Sequence, residues 1–490
     1  MCLTYPNMRR RKFLQQAALA GAAIALSKKA AAFAPDDFPV VRVAENQRKF
    51  KSVAVEQLIT EIQTNIGNKE LAWMFGNSFP NTLDTTVDFE VVKGKPDTYV
   101  ITGDIDAMWL RDSSAQVWPY IPLCKYDMHL QQLIKGVINR QVKNILKDPY
   151  ANAFYKDGNK VSEWKKTDVT DMKPGIHERK WEVDSLCYPI RLSYGYWKET
   201  GDTSPFDEQW LDAMQLIVKT FKQQQRFDNQ GPYSFERNTS WATDGVPLGG
   251  YGYPVKPNGL ICSMFRPSDD ATIFPYLIPS NIFAAVSLKQ LSSIASTTGT
   301  DVNLSFEASK LSGDVLDAIE KHATIHHPDY GNMFAYEVNG FGSYNLMDDA
   351  NVPSLLSIPY LLDTDLTGDD FIFGANGKTL YANTRKYVLS GDNPFFFSGA
   401  AAEGIGGPHA GINMIWPLSI VMRGLTSIDD KEIKHCLDML QKCHAGTGFM
   451  HESFNKDDAS KFTRKWFAWA NTIFGEFIWK VYREKPLLLN

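Results

Sequence analysis

Residues 127–146 read DMHLQQLIKGVINRQVKNIL. Leu130, Leu133, Val137 and Val142 recur there close to the helical period, so the stretch is predicted as a helix with one apolar face. Outward from it the same pattern returns at Phe50 to Ile66, Glu182 to Glu199, Asn281 to Ser296, Ser305 to His322, His409 to Arg423 and Thr463 to Arg483. Ser204-Pro205-Phe206-Asp207 carries a cap residue, a first-turn proline and an acidic third position, which predicts a helix running through Phe221. Ser427-Ile428-Asp429-Asp430 repeats that start signal, after Gly424 as the end of the preceding segment. Strand signals are short: Thr98 to Thr102 and Phe334 to Val338 read as hairpin pieces carried on loops. Roughly a dozen similar helices joined by long loops, with no fixed sequence repeat, predict antiparallel helix pairs closed in a ring rather than an open solenoid.

The chain has 490 residues, 44% hydrophobic and 22% charged, enough to bury a large core. By length alone several domains would be expected, but rings of helices run long as one unit, and the expectation is a single domain over 35–490. Net charge is -5 with the basic residues scattered, which leaves no electrostatic footprint for nucleic acid or an anionic membrane. An uncharged partner fits better. Aromatic residues make up 12%, with twelve Trp, suited either to stacking on sugar faces or to filling a core.

Residues 1–34 have the makings of an export signal. Arg9, Arg10 and Arg11 are followed by Lys12, Phe13 and Leu14, then by an apolar run from Ala17 to Leu26 too short for a stable membrane span. Arg10-Arg11-Lys12-Phe13-Leu14 resembles a twin-arginine signal, with small-residue cleavage sites between Ala30 and Ala34. The expected location is periplasmic or secreted. No later stretch is apolar enough to cross a membrane. With Cys2 removed, Cys124, Cys187, Cys262, Cys436 and Cys443 remain, an odd set matching no disulfide or zinc framework.

Three polar, aromatic clusters fall in what read as long loops, and such loops in a compact domain tend to build sites. In Trp109-Leu110-Arg111-Asp112-Ser113, an Arg beside an Asp can grip vicinal hydroxyls while a ring stacks on a sugar, or can close the loop on the core. In Phe265-Arg266-Pro267-Ser268-Asp269-Asp270-Ala271, adjacent carboxylates repel, which favours a protonated carboxyl able to act as general acid. The competing reading is a helix cap. In Gly446-Thr447-Gly448-Phe449-Met450-His451-Glu452-Ser453-Phe454, glycines permit close backbone approach and Glu452 could activate water, or be a surface Glu on a turn. A second Asp-Asp-Ala, at Asp348 to Ala350, warns that the tripeptide is not diagnostic by itself. No metal-binding motif is present, His326 and His327 point to different sides as neighbours, and no nucleophile elbow or phosphate loop occurs. No cofactor and no metal are expected.

Together and in this order, the three clusters resemble the metal-independent exo-α-1,6-mannosidases of glycoside hydrolase family 125. The resemblance implies an all-α fold, an (α/α)6 barrel of six helical hairpins, and an inverting glycosidase that releases terminal mannose from α-1,6-linked glycans. It implies a catalytic acid at Asp270, with Asp269 the alternative, and a catalytic base at Glu452. Arg111, Asp112, Trp109, Arg266 and His451 are the implied sugar-binding residues. A glucosidase- or trehalase-type toroid and a glycan-binding toroid without turnover are the alternatives.

Overall fold

The computed structural model describes residues 38–299, 301–362 and 371–490. The expected export signal at 1–34 lies outside them. The chain divides into two compact units, 1–40 and 41–490, and every helix and strand among the described residues belongs to the second.

Thirteen helices among the described residues carry the fold: α1 Val53–Asn65, α2 Lys69–Ser78, α3 Leu110–Val117, α4 Met128–Lys147, α5 Val183–Thr200, α6 Glu208–Gln224, α7 Ile278–Thr298, α8 Val302–His322, α9 Ile358–Leu362, α10 Gly374–Val388, α11 Pro417–Leu425, α12 Asp430–Cys443 and α13 Ala468–Glu484. A further single turn spans Asn81–Thr85. The stretch with the clearest period is α4, and Asp127 caps it by accepting from the amides of His129 and Leu130. The start signals are displaced by three and two residues. Asp207, not Ser204, accepts from Trp210 N and opens α6, and Asp429, not Ser427, opens α12. In each case the carboxylate nearest the first free amides takes the cap. Gly424 does not end its helix. It lies in the last turn of α11 against Phe477, whose ring a Cβ would meet at 2.3 Å.

Helices α3, α5, α7, α9, α11 and α13 form an inner layer: α13 packs on α3, α3 on α5, α5 on α7, α7 on α9, and α11 on α13. Helices α4, α6 and α8 pack on one another outside them, and α1 with α2 backs α13. All eight residues of α3 are buried, five of them polar or charged, so it has no water-facing side and its polar residues point into the protein. This is why Trp109 to Tyr120 read as a loop. The outer helices keep one wet face, as in α6, which buries Trp210, Met214, Ile217 and Phe221. Cys124, Cys187, Cys262, Cys436 and Cys443 are free and buried, small apolar fillers of the core.

The all-α expectation holds for these layers but not for their connections. Among the described residues, seven small sheets of two or three strands lie in the loops, including the hairpin Val87–Val92 with Lys95–Val100. Long loops packed on a core must pair their backbone groups, and short ladders do this. No helix among the described residues is long and apolar enough to cross a membrane.

Candidate active site

Every cluster singled out in the sequence precedes or opens an inner helix. Arg111 and Asp112 stand in the first turn of α3, the Ser268–Asp270 turn precedes α7, and the Glu452 segment leads through one hairpin into α13. Of the carboxylates in these clusters only Asp112 lies in the first turn of a helix, where the partial positive charge of the N-terminus reaches it.

The acid turn is held from behind. Asp269 N donates to Arg266 O at 2.9 Å and Arg266 N donates to Asp270 O at 2.8 Å, while Asp269 takes a left-handed φ of 67°. Asp accepts that conformation more readily than most residues. The turn is not a helix cap, since α7 begins only at Ile278. Arg266 is buried and its Nε donates to Glu337 at 2.7 Å, so it braces the turn from the core side. The two aspartates face different surroundings. Asp270 is buried, takes a hydrogen bond from Thr243 Oγ1 at 2.7 Å, lies 3.9 Å from His409, and has its Oδ2 without a hydrogen-bond partner among the described residues. Burial pushes its carboxyl up to about 6, helped by the charge of Asp349. Asp269 is the more open, with its side chain 26% exposed and 3.6 Å from Arg111.

Arg111 is buried and its fork is occupied by protein carboxylates: Nη1 donates to Glu182 at 2.6 Å and to Asp184 at 3.0 Å. Asp112 lies 3.7 Å from its Nε. One guanidinium thus serves four acids, Asp112, Glu182, Asp184 and Asp269. Burial raises the Asp112 carboxyl to about 6 against the pull of Arg111, and burial likewise raises Glu182 and Asp184. Trp109 is buried with its ring edge-on to His177 at 5.2 Å.

Glu452 accepts from Thr463 Oγ1 at 2.9 Å and from Arg464 Nη1 at 3.3 Å. Arg464 is held in turn by Asp104, at 2.6 Å from Nη2, and its charge also acts on Asp112. His451 lies flat on Phe462, ring centroids 3.7 Å apart, and burial lowers it to about 4, so the ring is neutral at ordinary pH. Its Nδ1 has no hydrogen-bond partner among the described residues. Gly448, at φ 76°, serves packing, because a Cβ there would come within 2.7 Å of Trp73.

The three clusters are therefore linked through charged neighbours, Asp269 to Arg111 to Asp112 on one side and Glu452 to Arg464 on the other. A carboxyl that keeps its proton up to about pH 6 and a second carboxylate fixed by two donors are the parts that acid and base catalysis need. The profile of the metal-independent α-mannosidases of glycoside hydrolase family 125 matches residues 68–479. The chain belongs to this family. Two relatives are similar over most of the chain. The chain is 39% identical over 472 residues to the meiotically up-regulated gene 157 protein of Schizosaccharomyces pombe, covering 93% of this chain and 91% of that protein. It is 38% identical to a Streptococcus pneumoniae metal-independent α-mannosidase solved in a non-productive complex with α-1,6-mannobiose, covering 89% of this chain and all of the other, with a TM-score of 0.83.

This GH125 glycoside hydrolase also uses residues that the sequence did not single out. Glu182 and Asp184 read only as the start of an amphipathic helix. Asp349, from the second Asp-Asp-Ala, accepts from Ser268 Oγ at 2.6 Å and so packs against the acid turn. Lys180 donates to the carbonyl of Asp269 at 2.8 Å and to Asp244 at 2.9 Å, and Arg237 joins Asp168, Glu178 and Asp244. These ion pairs tie the long loop over 234–271 to the segment before α5. Arg464 left no local sign, since its partners Thr102 and Asp104 lie about 360 positions away. No cluster of three or more His, Cys, Asp or Glu suited to a metal occurs among the described residues.

Proposed function

We propose that the protein is an inverting exo-α-1,6-mannosidase in which the inner helices close into an (α/α)6 ring and their N-terminal ends form the site. The observation that carries this is the pair of carboxyls with unlike surroundings. Asp270 is pushed toward its protonated form with one oxygen lacking a partner among the described residues, and Glu452 is an acceptor gripped by Thr463 and Arg464. Asp270 gives its proton to the glycosidic oxygen while Glu452 takes a proton from water on the opposite face of the sugar. Inversion needs the two carboxyls about 6.5–9.5 Å apart to leave room for that water. Asp112, Trp109 and His451, whose buried Nδ1 lacks a partner among the described residues, bind the terminal mannose, with Arg111 holding Asp112 in place and Arg266 bracing the turn. The α-1,6-mannobiose found on the pneumococcal relative supports the linkage.

The test is mannose release from α-1,6-mannobiose set against the α-1,2 and α-1,3 isomers, repeated after exhaustive EDTA treatment. Preferential cleavage of the α-1,6 isomer, undiminished by EDTA, is expected, because carboxyls and not a Lewis acid supply the catalysis. Glucose release from glucosides or trehalose instead, or tight glycan binding with no sugar released, would replace this reading.

Activity should also fall on the alkaline side. Only protonated Asp270 is a competent acid, and its carboxyl titrates near 6. Above that pH, kcat/KM should fall about tenfold per unit, until another group limits it. A kcat/KM profile flat from pH 5 to 8 would exclude Asp270 from the acid role. The twin-arginine-like start further supports export of the enzyme to the periplasm or beyond.

A further inference from the structure

We propose that Trp241 is a stacking platform for the second and third sugars of the leaving chain, which makes this enzyme selective for oligomannosides over disaccharides. The inference rests on the mannosidase reading and adds a subsite to it. Trp241 is 50% exposed, in a protein whose other Trp side chains are buried or half-buried, and Ile273 on the neighbouring turn is 49% exposed. An indole left this open offers a flat apolar face beside a turn of polar residues.

The placement of these two side chains is set by the acid itself. Thr243, two residues after Trp241, donates through Oγ1 to Asp270, and its carbonyl accepts from Ala271 N at 2.7 Å. Asp244 N donates to Trp241 O at 3.1 Å, while Asp244 is pinned by Lys180 and Arg237. The loop that carries Trp241 is thus locked to the turn that carries Asp270. Two residues of chain span at most about 7 Å. The Trp241 backbone therefore lies within about 7 Å of the residue that bonds the acid, close enough for its exposed indole to meet the sugars that follow the leaving mannose. Sugars present apolar C–H faces to such rings, and an indole loses little freedom when it stacks, which suits a binding role.

The experiment compares two substrates in one enzyme. In Trp241→Ala, the ratio of kcat/KM for α-1,6-mannotetraose to kcat/KM for an aryl α-mannoside should fall about tenfold, the size of one well-stacked contact, with KM carrying the change. Trp241→Phe should recover most of it. A ratio within twofold of wild type would overturn the platform. Aryl mannoside turnover by the wild type reports separately on the mannosidase reading. Should the wild type release no mannose, calorimetric titration of mannotetraose still decides the platform: weakened binding in Trp241→Ala upholds it, and unchanged binding refutes it.

Discussion

Glu452→Gln lowers turnover of α-1,6-mannobiose by roughly 10²–10⁴-fold, the usual contribution of a general base, while substrate affinity changes little. The amide keeps the size of the carboxylate and can still accept from Thr463, which bonds Glu452 at 2.9 Å. It cannot accept a proton from water. Because Arg464 is also anchored by Asp104, the guanidinium should stay in place when its carboxylate partner is neutralised. One further readout separates a base from a nucleophile. Proton NMR should show β-mannose as the first product of the wild type, before mutarotation. If α-mannose forms first, configuration is retained and the water-activating role of Glu452 is wrong.

Asp270→Asn should cost a similar 10²–10⁴-fold on mannobiose, whose departing alkoxide needs a proton, and far less on an aryl mannoside with a good leaving group. If Asp269→Asn shows that contrast and Asp270→Asn does not, the acid lies one residue earlier. The same variant has a stability signature with a definite sign. The folded-state carboxyl titrates near 6 against 3.8 for the free side chain, so the fold disfavours its ionised form. Between about pH 4 and 6 the folded state holds the proton more tightly than the unfolded chain, and the wild type loses stability as pH rises, by up to about 3 kcal/mol. Asparagine does not ionise. Relative to the wild type, the melting temperature of Asp270→Asn should therefore climb across that window and level off above it. A constant difference at all pH values would show that the Asp270 carboxyl is not perturbed by the fold.

How much of the fold and site was legible in the sequence depended on the range over which each signal acts. Long helices write a pattern into neighbouring residues, so the outer α4, α6 and α8 and the inner α5 and α7 were all located within a few positions. Helix α3 is only eight residues long and turns its polar residues inward, so its polar, aromatic stretch read as a loop although it carries Arg111 and Asp112. Helices α9 and α10 gave no recognised pattern either. The motif residues Asp269, Asp270, Glu452 and His451 stood out because each cluster is contiguous and chemically dense.

The surroundings of those residues were decided by the tertiary structure alone. Arg111 meets Glu182 across 71 positions, Ser268 meets Asp349 across 81, and Arg464 meets Asp104 across 360. Charge pairing depends on distance in space and on the dielectric around the pair, neither of which local sequence encodes. Adjacent aspartates in the chain are chemically alike. Folding buries one against Thr243 with an oxygen left over and leaves the other open beside a guanidinium, and this difference in desolvation separates Asp270 from Asp269.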